Sequence, residues 1–160
     1  MKRRWLAEED GSALVETAIA CTLLAAVVIG TMQACLALYA YHYTAQVARM
    51  ATRYAMVRGS ESCTSTPNLT QCNASAADIT NYVQNLGFPG IKSASVNVTT
   101  TWCASNGTTP ATWATCSSGT ANAPGNLVRV VVSYPYALAI PFASAMSIQV
   151  SSTSQVVISQ

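Results

Sequence analysis

From Thr17 through Ala48 the chain contains no Asp, Glu, Lys or Arg, and only His42, near the end, interrupts the run with an ionisable imidazole. A bilayer core needs about 20 apolar residues in a helix, so the segment starting near Ala13 and running past Tyr39 is long enough to cross one. A cleaved secretory signal has an apolar region of only about 7 to 15 residues, which this run exceeds. Composition agrees: the 160 residues are 51% hydrophobic and 9% charged, against about 25% charged in ordinary soluble domains.

The helix is expected to outlast the membrane. Between Tyr39 and Val57 there is no Gly or Pro, and Ala, Met, Gln and Arg all tolerate or favour helix. We therefore expect one helix over residues 12–59, with its transmembrane half at about 13–41. Counted from Ala13 it makes a rod of roughly 70 Å. Its outer half places Val47, Met50, Tyr54 and Val57 at helical spacing beside Arg49, Arg53 and Arg58, which reads as amphipathic. Tyr39, Tyr41 and Tyr43 fit either the aromatic belt at the membrane interface or packing against a neighbouring element. The bland role for Arg49 and Arg53 is contact with anionic lipid headgroups.

Residues 60–160 have a different character: rich in Ser, Thr, Asn and Ala, with Glu61, Asp78, Lys92 and Arg129 as the only charges. Cys63, Cys72, Cys103 and Cys116 lack the spacing and the nearby histidine of a zinc site, so no metal is expected and disulfides are the better reading. Four cysteines allow three pairings; the sequence-local 63–72 and 103–116 are preferred, each worth roughly 3 kcal/mol. Disulfides place this domain in an oxidising compartment and keep the N-terminus cytoplasmic. Cys21 and Cys35 lie roughly 21 Å apart on the helix and cannot bridge each other; apolar packing is their expected role.

The exported domain is expected to be α+β, with one short helix and a small antiparallel sheet. Ser75 and Asp78 form a capping-box pattern, Ile79, Tyr82, Val83 and Leu86 share a face, and Gly87 can end the helix. Strands are expected over Ala94–Trp102, Leu127–Tyr134 and Ser147–Ser159. A long polar excursion with turns at Asn106-Gly107 and Pro124-Gly125 separates the first two. Pro135 and Pro141 should bracket an irregular apolar stretch, YPYALAIPFA.

Catalysis is hard to build from these parts. The sole histidine sits at the membrane border, Asp78 is accounted for as a cap, and no catalytic or phosphate-binding motif appears, so the chain reads as a non-enzyme without a cofactor. Nucleic-acid binding is not indicated, because the only basic cluster outside the leader, Arg49, Arg53 and Arg58, lies against the membrane.

The stretch EEDGSALVET, residues 8 to 17, supplies the sharper clue. A short charged leader, a glycine, an apolar helix and a glutamate five residues after the glycine resemble the substrate of a prepilin peptidase, which implies a 1–11 leader cut between Gly11 and Ser12. In type IV pilin-like proteins, the glutamate corresponding to Glu16 meets the new terminal amine of a neighbouring subunit. The start Gly11-Ser12-x-x-Val15-Glu16, the apolar stretch, the aromatic exit and the Ala48–Ala55 segment together resemble the TadE-like pseudopilins of tight-adherence, or Flp-type, pilus systems. VRVVVSYPYALAIP and SIQVSSTSQV resemble the family's C-terminal part, whereas residues 61–125 resemble nothing aligned to it.

The resemblance implies a structural subunit made in the bacterial inner membrane, trimmed there and carried to the cell surface in a filament used for adherence, biofilm formation or secretion. Its implied partners are the prepilin peptidase, other pilin subunits met through the helix, the assembly platform and membrane lipid. A domain of about 100 residues is bulky beside Flp-type major pilins and favours a minor subunit. The alternatives are a main repeating subunit, or an uncleaved single-pass protein whose exported domain binds or senses.

Overall fold

The computed structural model describes residues 6–65, 68–103, 118–119, 122–139 and 146–159. Cys116, Asn106-Gly107, Pro141 and the first five residues of the expected leader lie outside these.

One helix dominates the chain. α1, Leu6–Met56, is continuous through Gly11 and rises roughly 76 Å at 1.5 Å per residue. It begins earlier than the sequence suggests and ends three residues sooner, in the turn that precedes Gly59. Two short helices follow: α2, Ser62–Ser65, and α3, Ala76–Asn85. The Ser75 hydroxyl accepts a hydrogen bond from the Asp78 amide, and the Asp78 carboxylate accepts one from the Ser75 amide, so the expected capping box is formed. Gly87, at φ +51°, adopts the left-handed turn that stops the helix without the Cβ clash another residue would meet.

The sheet is antiparallel, in the order β2-β1-β3-β4: β1 is Asn97–Cys103, β2 the two residues Ser118–Gly119, β3 Leu127–Leu138 and β4 Met146–Val157. β3 is four residues longer than expected. The stretch read as irregular from Pro135 continues the strand, with Pro135 opposite Gln149 and Leu138 opposite Met146. The reason is positional. Pairing of β1 with β3 ends at Asn97 opposite Ser133, so beyond it β3 has a neighbour on one side only, where a proline's missing N–H is tolerated.

Period-two alternation then sorts the faces. Val128, Val130, Val132 and Tyr134 of β3 are buried, while Arg129 is exposed. α1 and α3 both lie on the buried face. Ile79 and Val83 of α3 join Val47, Ala48, Ala51 and Ala55 of α1 in a single apolar core with β3. Cys63 and Cys72 form a disulfide as expected. Cys103 is disulfide-bonded, and its expected partner Cys116 is outside the described residues.

The sheet lies lengthwise along the helix. The Tyr136 hydroxyl donates to Gln33 Oε1 at 2.7 Å near one end, and the Ser159 amide donates to the Met56 carbonyl at 3.3 Å near the other. From Gln33 to Met56 the helix rises about 35 Å, and from Ile148, which pairs with Tyr136, to Ser159 the strand rises about 36 Å. The two elements therefore stay in step over the whole domain.

Candidate assembly and membrane site

α1 divides at Ala40. From Gly11 to Tyr39 nearly every side chain is exposed, including Leu14, Val15, Ile19, Leu23, Val27 and Met32. The helix is long and apolar enough to cross a membrane, and its most apolar part is wholly unburied. Cys21 and Cys35 are free thiols on this bare surface.

From Ala40 onward one face is covered. Ala40, Tyr43, Thr44, Val47, Ala48, Ala51, Thr52 and Ala55 are all buried, a stripe repeating every three or four residues. This corrects the expected apolar face. Val47 belongs to it, but Met50 and Tyr54 are only partly buried and Val57 is exposed. The helix turns its small residues to the sheet, because a backbone can approach a strand closely only where side chains are short. Thr44 and Thr52 satisfy their hydroxyls on helix carbonyls, and Thr52 also bonds Ser154 of β4 at 2.9 Å.

The three tyrosines separate in the same way. Tyr39 is exposed and donates to the Pro89 carbonyl at 3.1 Å. Tyr41 is exposed and edge-on to His42. Tyr43 is buried, edge-on to Phe88 at 4.8 Å and to Tyr134 at 6.4 Å. Of the two roles open for these residues, Tyr43 therefore has the packing one, and placing it in the aromatic belt is corrected. At 100° per residue, Tyr39 and Tyr43 share a side of the helix and Tyr41 is turned away from it.

The arginines are also not one group. Arg49 and Arg53 are exposed, one turn apart. Arg58 instead stacks over the Tyr54 ring at 3.9 Å and donates through Nε to the Thr70 carbonyl. Tyr54 in turn stacks on Tyr82 at 4.2 Å and donates to Gln71 Oε1, whose Nε2 donates to Asp78 Oδ1. This chain of contacts ties the end of α1 to α3 and to the Cys63–Cys72 loop. The Ser75 hydroxyl, and then its amide, hold the Asp78 carboxyl below the ordinary aspartate range.

At the opposite end, Gly11, Ser12 and Glu16 lie on exposed helix. A Cβ added at Gly11 would meet nothing within 4 Å, so no packing among the described residues asks for glycine there. Glu16 stands among Leu14, Val15 and Ile19, and the next charge toward the C-terminus is Arg49, about 50 Å along the axis.

Residues 11–53 match the TadE-like protein family. The TadE-like segment thus starts at the glycine, includes Glu16 and ends at Arg53, within α1; the match does not extend to the sheet or the disulfides. No curated protein and no solved structure matches the chain. Proteins of the TadE-like family are structural components of pilus systems.

Two features had no expectation from the sequence. One is the bond between Tyr136 and Gln33, which fixes the far end of the β3–β4 hairpin to the helix. The other is an apolar groove of about 760 Å³ below it, walled by small helix residues such as Ala26, Gly30 and Ala34 and capped by Leu138 and Ile148. Gln33, the first of two amides in the charge-free run, was the available signal.

Proposed function

We propose that this chain is a tight-adherence pseudopilin, held in the bacterial inner membrane by α1, trimmed by a prepilin peptidase between Gly11 and Ser12, and built into a surface filament as a minor structural subunit. The observation that carries this reading is Glu16 on the bare half of α1, inside the TadE-like segment and with no cation of its own chain between it and Arg49 on its C-terminal side. An unpaired carboxylate in lipid costs at least about 2.5 to 3.5 kcal/mol. Trimming after Gly11 would create a cation at the right depth, the amine of Ser12, and its pairing with Glu16 of a neighbouring subunit offsets part of that cost. Gly11 supports the same step. A helical glycine costs roughly 1 kcal/mol relative to alanine, and no contact among the described residues explains it.

The division of α1 fits assembly as well. The bare half can pack against other helices on any side, while the domain occupies one face of the other half and adds bulk that suits an occasional subunit more than a repeating one. Adherence, biofilm formation or secretion is then the work of the filament that the subunit joins.

Glu16→Leu tests the pairing. Leucine is the more lipid-soluble residue, so the variant should accumulate in the inner membrane at normal abundance yet be lost from sheared filaments, with adherence falling accordingly. Incorporation equal to wild type contradicts the pairing, and absence of the wild-type chain from every filament preparation contradicts the subunit role.

A further inference from the structure

The β3–β4 hairpin reaches farther toward the bare half of α1 than the domain's core does. The core starts at Ala40, but Tyr136 bonds Gln33, and Leu138 and Ile148 border Gly30 and Ala34. Depth can be counted from the other end of the helix. A hydrocarbon core of about 30 Å takes about 20 helical residues. A span beginning at Ala13 ends at Gln33, and one beginning at Thr17, the first residue of the charge-free run, ends near Ala37. Both placements set Gln33 at the outer edge of the apolar layer or just inside it, and the hairpin end comes with it.

The chemistry of the hairpin end suits that depth. From Val130 to Gln160 the chain has no charged residue. Met146 is 57% exposed and Ile148 46% exposed. Tyr136 presents a ring with a hydroxyl, the combination that sits at membrane interfaces. Its hydroxyl also gives the Gln33 amide oxygen the partner that an apolar surrounding demands. Depth has an upper limit, because open strand edges are not tolerated in the hydrocarbon interior. The hairpin end can therefore enter only the boundary between headgroups and acyl chains, about 5–10 Å deep.

We propose that the far end of the β3–β4 hairpin is a shallow membrane-docking element, in which Tyr136, Leu138, Met146 and Ile148 seat in the outer leaflet beside the point where α1 leaves the bilayer. Lipid acyl chains fill the groove under Leu138 and Ile148, continuing the lipid contact of the bare helix. The domain is then held at two places, α1 and the hairpin, which stands the sheet upright on the membrane. Entry into a filament must free both. This inference rests on α1 crossing a bilayer.

The test uses the full chain in vesicles of phosphatidylethanolamine and phosphatidylglycerol, with Cys21 and Cys35 replaced by serine and the exported cysteines kept. An environment-sensitive fluorophore is attached at Val27→Cys, Ile148→Cys or Thr153→Cys, and quenching is read with lipids bearing a nitroxide near the headgroup or near the chain end. Thr153 is exposed on the same strand about 16 Å farther from the membrane. The expected result is strong chain-end quenching at position 27, several-fold stronger headgroup-side than chain-end quenching at 148, and neither at 153. Met146→Cys repeats the measurement at 148, so a label that disturbs one site does not decide the outcome. Quenching at 27 with none at 148 and 146, and water-like emission there, overturns the docking while leaving the anchor intact. Apolar emission at both hairpin sites without quenching assigns the face to a neighbouring protein and also overturns it. No quenching at 27 removes the anchor, and the docking falls with it.

Discussion

The two halves of α1 are built from nearly the same kinds of residue and live by opposite rules. Both are rich in alanine and poor in charge. Yet between Gly11 and Tyr39 the large side chains point outward in every direction, with Leu23 64% exposed, whereas between Ala40 and Ala55 it is chiefly the small ones that turn to the sheet, with Val47, Ala48 and Ala51 at 0%. In the bare half hydrophobicity fits the solvent proposed for it, lipid, and no face is preferred. In the covered half size selects the face, because the sheet needs a near approach and the bulkier Met50 and Tyr54 are left at its margin. One helix can thus carry a membrane segment and a core segment without a break, provided that its small residues cluster at the second.

This comparison can be broken most forcefully by making one substitution twice. Val47→Asp buries an unpaired carboxylate against β3 and β4 and should destabilise the domain by about 3–5 kcal/mol, read as a lowered Tm and loss of protease resistance in detergent. Val27→Asp should leave both readouts at wild type and instead cost about 2.5 to 3.5 kcal/mol of membrane insertion, read as reduced membrane abundance. Equal loss of domain stability from both variants would mean that the halves are not independent.

A smaller effect concerns the loop clamped to the end of the covered half. Replacing Cys63 and Cys72 with serine releases the disulfide and should cost about 3 kcal/mol, with the membrane abundance of the folded fraction unchanged. Smallest is the cap of α3. Ser75→Ala should cost about 1 kcal/mol of domain stability. It also acts on pH dependence, since the Ser75 hydroxyl is the main cause of the depressed Asp78 pKa. A depressed folded-state value means that the unfolded chain takes up the proton first. This contribution is therefore complete above the ordinary aspartate range and fades as pH falls through it toward the depressed value. The acid limb of the stability curve should be shallower in Ser75→Ala than in wild type, and equal slopes would contradict the assignment.

What could be read from the sequence follows from where the physics is local. A charge-free run from Thr17 to Ala48 declares a membrane-length helix without any knowledge of neighbours, and the alternation of Ile148, Val150, Ser152, Ser154 and Val156 declares a strand in the same way. Ser75, Asp78 and Gly87 carry their turn chemistry in themselves. The packing face of the covered half was misread because a hydrophobic ranking puts Met50 and Val57 above Ala51 and Thr52, and only the sheet reveals that smallness is the requirement. Pro135 looked like a strand breaker because its tolerance depends on β1 having ended at Asn97. Tyr43 belongs to the core through Phe88 and Tyr134, which are 45 and 91 residues away. At the candidate site, Gly11 and Glu16 stand out in the sequence because each is costly where it stands, and the described residues give neither a reason. The Tyr136–Gln33 bond does not, since neither residue alone announces the other.

The claim on which the account turns is that the chain is trimmed before it assembles, and the most direct measurement is the intact mass of the protein from membranes and from sheared filaments. The account predicts that the filament species lacks Met1–Gly11 and begins at Ser12, and that Gly11→Val accumulates at full length in the membrane. A filament-borne chain that retains Met1–Gly11, or normal trimming of Gly11→Val, would contradict it.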